Sequence, residues 1–216
     1  MSGTRKKISL ILIFFLAACA APPPVEKEVL RPEITASQKE REVEAFARLN
    51  EILQVSRSGR ERNAVLAEKE KLYLKLIKDY PDVPIAQESY WKLIEMNLED
   101  KTPLEYDRAD ALFNEFYEAY PESGMKGPVY RTFIINYTRN NEWKRLAGIC
   151  EPEYMEYLEK GTSLYPLTIF MYAEANFKLG NYDEAEKAFR IIIEKFPYLK
   201  ENGLSKARIT YIERNK

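Results

Sequence analysis

The sequence repeats one short apolar pattern along most of its length, and this repetition constrains the fold more than any other feature. In each copy, apolar residues stand at positions i, i+3, i+4 and i+7, and a proline follows directly. Three copies have this form: Tyr73, Leu76, Ile77 and Tyr80 before Pro81; Phe113, Phe116, Tyr117 and Tyr120 before Pro121; Phe189, Ile192, Ile193 and Phe196 before Pro197. Residues at this spacing share one face of an α-helix, and a helix does not continue through a proline at its end. The pattern predicts an all-α fold in which similar helices bury one face each.

The residue four positions before the first aromatic residue is small in two of the copies. These residues are Ala109 and Ala185, whereas the first copy has Lys69 there. The spacing Ala-x3-Phe-x7-Pro resembles the second half of the tetratricopeptide repeat consensus. The resemblance implies an α-α superhelix, or solenoid, in which the first helix of each pair lines the concave side.

A fourth copy is expected between Pro121 and Pro197, because the interval between them is long enough for one more repeat. The copy is supplied by Tyr154, Tyr157, Leu158 and Gly161, with glycine in place of the last aromatic residue. Cys150 then occupies the position of the small residue. We expect it to be buried at a helix crossing; a reactive or intermolecular thiol is the alternative.

The first helices of the pairs follow the consensus in weaker form. The segment 170–185, FMYAEANFKLGNYDEA, resembles the first helix, the turn and the start of the second helix. Tyr172 and Ala173 stand where the consensus has Leu-Gly, and Gly180 and Asn181 form the predicted turn.

We therefore predict about four helix pairs and a final helix that caps the last pair. The pairs are expected near residues 38–80, 84–120, 128–161 and 165–196, and the capping helix near 199–213. The apolar residues of the first helix are Val43, Phe46, Leu49 and Leu53. Because Pro152 falls inside the fourth copy, we expect a fresh helix after Glu151 and a separate turn at 142–149.

The first 18 residues have the form of a bacterial export signal. Three basic residues, Arg5, Lys6 and Lys7, precede an apolar run from Ile8 to Ala18 that is interrupted only by Ser9. A helix of that length spans about 16 Å, roughly half of the hydrocarbon core of a bilayer. The segment is therefore predicted to direct export and not to span the membrane.

The end of this signal, Leu16-Ala17-Ala18-Cys19, resembles the lipobox of bacterial lipoproteins. The resemblance implies cleavage before Cys19 and several acyl chains on the new N-terminus, which together attach a protein stably to a membrane. Ala20 after the cysteine corresponds to outer-membrane sorting in the enterobacterial pattern. The alternative is an ordinary secretory signal, with an incidental Cys19, cut near one of three alanines: Ala18, Ala20 or Ala21.

The predicted organisation has three parts. Residues 1–18 are a lipoprotein signal peptide, residues 19–37 are the lipidated cysteine with a proline-rich tether, and residues 38–214 are the helical repeat domain. The run Pro22–Pro24 favours an extended polyproline conformation, which makes the tether semi-rigid.

Composition excludes several classes of function. The 33 Lys and Arg residues balance 34 Asp and Glu residues, so the chain lacks the positive charge that nucleic-acid binding requires. There is no histidine, which excludes Ser-His-Asp and Cys-His nucleophile pairs. No phosphate loop or metal-ligand spacing occurs. We expect a non-enzyme with no cofactor, no metal and no small-molecule substrate.

Export signal, lipobox, short tether and tetratricopeptide-like repeats together resemble the outer-membrane β-barrel assembly lipoproteins of the BamD type. Similar repeats occur in the coordinator of the Tol-Pal system and in pilotins. The resemblance implies a lipid-anchored scaffold on the periplasmic side of the outer membrane that binds a protein partner, most simply in outer-membrane protein assembly. The alternative is a pilotin-like or other cell-envelope and secretion chaperone.

Five side chains of the predicted first helices are expected to point away from the packing stripe and are candidates for a protein-binding groove. They are Trp91, Glu95, Phe170, Glu174 and Phe177. For each aromatic residue, packing against the neighbouring repeat is the alternative role.

The lipobox generates a direct prediction. Replacing the acceptor thiol by Cys19→Ala is expected to leave the precursor without lipid, so the protein should be lost from the membrane fraction. Cell fractionation followed by immunoblotting measures this, and unchanged membrane attachment would contradict the lipobox interpretation.

Overall fold

The computed structural model describes residues 36–215, and all the regular structure in that range is helical. The α-helices of this range are α1 (Ala36–Ser56), α2 (Arg62–Asp79), α3 (Pro84–Glu95), α4 (Tyr106–Ala119), α5 (Lys126–Asn140), α6 (Trp143–Lys160), α7 (Pro166–Leu179), α8 (Tyr182–Lys195) and α9 (Asn202–Asn215). A π-helical turn, Met96–Asp100, extends α3. None of these helices is both long and apolar enough to cross a bilayer. The predicted all-α fold is confirmed.

Successive helices pack against one another in pairs, and each pair packs on the next. The helices α1 and α2, α3 and α4, α5 and α6, and α7 and α8 are the four predicted pairs, and α9 packs on α8. The first helices α1, α3 and α5 also contact one another in order. The fold is therefore a tetratricopeptide-like solenoid. Helix α1 begins at Ala36, two residues inside the segment predicted as the tether.

The aromatic-proline pairs end three second helices in the same way. Tyr80, Tyr120 and Phe196 have φ between −133° and −126° and ψ between 51° and 63°, outside the helical region. The proline that follows each residue disfavours helical backbone at that residue. Each N–H still donates to the carbonyl four residues earlier, so the last turn closes before the chain leaves the helix.

The turn inside the third pair has the same geometry as the glycine turn inside the fourth. Gly180 has a φ of 81° and Asn141 has a φ of 59°, both in the left-handed region that glycine and asparagine tolerate best. The next residue in each turn, Asn181 or Glu142, donates its N–H to a carbonyl five residues earlier. The sequence identified only the glycine version.

The predicted break at Pro152 is wrong, because α6 runs without interruption from Trp143 to Lys160. A proline inside a helix removes one hydrogen bond and costs about 3 kcal/mol. Helix α6 buries apolar side chains on both sides of the proline, including Leu146 and Tyr157. Since each buried side chain of this size contributes about 1.5–3 kcal/mol, packing against the neighbouring helices outweighs the cost.

Helix α6 is also one turn longer than α4 and α8, so the position equivalent to Cys150 depends on which end of the helix is used for the alignment. Counted from the helix end, Cys150 matches Ala109 and Ala185; counted from the start, Leu146 matches them. The cysteine is fully buried, as expected for a packing residue. Burial raises the pKa of its thiol, which keeps the sulfur protonated and unreactive.

Aromatic rings fill the core between the second and third pairs. The Phe113 ring is 1% exposed and its centroid lies 5.4 Å from that of Phe133 and 5.6 Å from that of Tyr130. Tyr130 and Phe133 belong to α5, so these contacts join the two pairs.

Two matched substitutions test this packing. Phe113→Ala is expected to lower the free energy of unfolding by about 3–5 kcal/mol, because it leaves a cavity between pairs. Phe46→Ala removes the same atoms from a side chain that is 58% exposed and should cost less than about 1 kcal/mol. Urea unfolding followed by circular dichroism measures both free energies of unfolding. Equal losses of stability would contradict the exposed position of Phe46.

Candidate protein-binding face

Of the predicted residues in the fourth pair, Phe170 and Glu174 are buried, whereas Phe177 is partly exposed. Phe170 is 5% exposed and its ring centroid lies 5.9 Å from that of Phe189, so the expectation that it points away from the core is wrong. Residues on both faces of α7 are buried, because α6 and α8 pack on it extensively.

Glu174 of α7 is held by α9. Its two carboxylate oxygens accept hydrogen bonds from Arg208 Nε at 2.9 Å and from an Arg208 terminal nitrogen at 2.6 Å. Glu174 is 7% exposed. A paired and nearly buried carboxylate of this kind fastens the capping helix to the last pair.

Phe177, the third predicted residue of α7, is half-buried beneath the same helix. Its ring centroid lies 5.3 Å from that of Tyr211 and 5.7 Å from that of Tyr182, and the Arg208 guanidinium lies 4.4 Å from the ring centre. The sequence predicted the capping helix but not that it covers these side chains.

Trp91 and Glu95 lie on α3 and are both partly exposed. The indole Nε1–H of Trp91 donates to Thr132 Oγ1 of α5 at 2.9 Å, so one edge of the ring is fixed against the next pair. Lys92 Nζ lies 4.3 Å from the Trp91 ring centre and 2.8 Å from a Glu95 carboxylate oxygen. These two predicted residues therefore remain on a partly accessible face.

The most exposed apolar side chains of a first helix lie on α1 and were missed as surface residues. Val43 is 70% exposed, Phe46 58% and Leu53 46%, whereas Ala45 and Ile52 form the buried stripe. The sequence feature that could have indicated this exposure is the presence of two apolar stripes on one helix. Within residues 36–215, α1 is the first helix and packs on α2 and α3, so one of its two stripes is left exposed.

Phe46 borders an apolar cleft of about 260 Å³ at the start of α3. Val83, Pro84, Ile85 and Met125 complete the apolar wall, and three polar side chains stand beside it: Glu42, Gln87 and Glu88. We call this feature the Phe46 cleft. The exposed stripe of α1 lies next to the polar face of α3 at this cleft.

Helix α5 continues the accessible face. Ile135 is 41% exposed, and Arg131 and Arg139 are exposed on the same helix. The solvent-facing sides of α1, α3 and α5 together form what we call the open face. First helices in this position line the binding surfaces of helical-repeat solenoids.

A partly buried polar network between the second and third pairs has a structural role. Lys126 is 6% exposed and its Nζ lies 4.3 Å from the Tyr117 ring centre, while the Tyr117 hydroxyl donates to Glu156 at 3.1 Å. Burial is the main cause that raises the pKa of Tyr117, and the Glu156 carboxylate raises it further. The hydrogen bond that Lys160 donates lowers the pKa of Glu156. The network joins α4, α5 and α6. Within residues 36–215, no cluster of three or more carboxylate or cysteine side chains has the arrangement of a metal site.

Comparison with known families agrees with this architecture. The tetratricopeptide repeat model matches residues 168–197, which contain most of α7 and all of α8. The chain matches no curated protein. Fold and matched repeat define the class of an α-helical repeat protein with tetratricopeptide-like architecture, a class that generally binds other proteins. Leu16, Ala17, Ala18 and Cys19 of the lipobox lie outside the described residues, so their predicted roles stay predictions.

The contact between α7 and α9 can be tested directly. Arg208→Ala leaves the Glu174 carboxylate nearly buried without its main partner and is expected to lower the free energy of unfolding by about 2 kcal/mol. Arg214→Ala removes an exposed arginine from the same helix and should change stability by less than about 0.5 kcal/mol. Urea unfolding compares the two, and similar values would contradict the fastening role of Arg208.

Proposed function

We propose that the protein is a non-catalytic scaffold that binds a protein partner through the open face of α1, α3 and α5. The observation that carries the proposal is the row of exposed apolar side chains on α1, with Phe46 at 58% exposure beside a cleft. Burial of such side chains in a complex removes apolar surface from water and favours association. The open face has the position at which solenoids bind extended or helical segments.

The cellular setting is the second part of the proposal. A lipid on Cys19 would hold the chain at the periplasmic face of the outer membrane, and the tether would separate the helical domain from the lipid surface. The partner proposed there is a component of outer-membrane β-barrel assembly. The lipobox resemblance and the tetratricopeptide-like repeats support this setting.

A photo-crosslinking experiment in intact cells tests both parts. A benzophenone amino acid is placed at position 46 on the open face, or at position 158 on α6 as a matched control, since Leu158 is 51% exposed. We expect position 46 to form an adduct with a large β-barrel assembly subunit and position 158 to form little or none. Gel shift and mass spectrometry identify the adduct.

The other outcomes separate the alternatives. An adduct from position 46 with a secretin or pilin subunit would instead support a pilotin-like chaperone. Equal adducts from positions 46 and 158, or none from position 46, would contradict binding through the open face.

A further inference from the structure

We propose that the Phe46 cleft selects a segment of the partner protein in which an apolar side chain stands next to a lysine or arginine. The inference rests on the proposed function and adds the chemistry of the segment that the open face recognises. It follows from the composition of the cleft wall, from the charges around it and from whether each neighbouring polar group already has a partner.

The wall of the cleft is apolar where a side chain would enter. Val83 and Ile85 are buried in the stack and form the fixed part of the wall, whereas Phe46 stands out from α1 on the other side. The volume of about 260 Å³ suits a short apolar side chain rather than a whole helix. An aliphatic or aromatic group placed there would be enclosed between α1 and the start of α3.

Among the described residues, the charged groups that line the cleft are both carboxylates, those of Glu42 and Glu88. Among residues 36–215, neither carboxylate has an ion pair or a hydrogen bond from another side chain. Two unpaired negative charges beside an apolar wall attract a cation that arrives with the apolar group and repel an anion.

Arg41, the basic residue next to Glu42 in the sequence, is paired elsewhere. Arg41 donates to the Asp82 carboxylate at 2.6 Å and to the Asp79 carbonyl at 3.1 Å, so it is committed to the loop between α2 and α3. Gln87 accepts a hydrogen bond from the Ser123 hydroxyl at 2.5 Å, so its amide oxygen is occupied as well. The cleft therefore keeps a negative rim and an apolar interior, which a basic and apolar segment complements.

Peptide binding to the full lipidated chain in detergent tests the charge preference. The probe is a fluorescent peptide that alternates leucine and lysine with serine spacers, and its twin has glutamate in place of lysine. At low ionic strength we expect the lysine peptide to bind about tenfold more tightly, measured by fluorescence anisotropy. The preference should decrease as salt is added.

Variants of the cleft separate the two contributions. The double variant Glu42→Gln and Glu88→Gln should weaken binding of the lysine peptide about three- to tenfold and remove the preference between the peptides. Phe46→Ser should weaken both peptides by a similar factor and keep their order. The controls on α6, Glu151→Gln and Leu158→Ser, change an exposed carboxylate and an exposed leucine and should leave both affinities unchanged.

Several results would overturn the inference. They are equal binding of the two peptides, no effect of the paired glutamine variant, or an equal effect of the α6 controls. Deletion of residues 20–35 that raises the affinity tenfold would show that the chain's own preceding segment fills the cleft. Dimerisation that depends on Phe46, measured by sedimentation, would show that a second copy fills it.

The outcome is separable from that of the proposed function. Crosslinks from position 46 combined with no charge preference would remove the proposed specificity and leave the scaffold function in place. Loss of those crosslinks would remove the function itself, whatever the peptides show.

Discussion

Packing of each apolar helix stripe against the helices next to it in the chain is the constraint on which the whole structure depends. Phe113 illustrates it, because its ring joins α4 to two aromatic side chains of α5. In a stack of this kind, stability is approximately the sum of repeat and nearest-neighbour terms. Whether a helix face is exposed or buried then depends on whether a neighbouring helix covers it.

The presence or absence of a neighbour explains how the two ends of the stack differ. At the C-terminal end, α9 lies over Glu174 and Phe177 and pairs with the carboxylate through Arg208. At the start of the described chain, α1 has a second apolar stripe with no helix of this range on it, and Phe46 remains exposed. The open face is therefore most apolar at one end of the stack and closed at the other.

Much of the fold could be predicted from the sequence, and the reasons are local. The apolar stripe before each of Pro81, Pro121 and Pro197 indicates both the buried face of a helix and its end. The predicted boundaries of the helix pairs therefore agree with the structure to within a few residues. The turn at Asn141 was not recognised because a left-handed asparagine has no distinct sequence signal. Pro152 was misjudged because its local cost is outweighed by packing that the local sequence does not show.

The candidate site was harder to predict, because exposure depends on which neighbours are present. Trp91 and Glu95 were placed on the accessible face of α3, whereas Phe170 was assigned to a surface that α6 and α8 bury. Phe46 was grouped with the apolar residues of the first helix, and spacing alone cannot say which of two stripes is covered.

The Arg208 contact has a consequence for how such a stack can change length. A further helix pair inserted between α8 and α9 would carry Arg208 away from Glu174 and leave a nearly buried carboxylate without its main cation. Tolerated insertions would have to supply a replacement cation at the matching place on their own first helix. One electrostatic pairing thereby limits which duplications of the repeat unit this fold accepts at its C-terminal end.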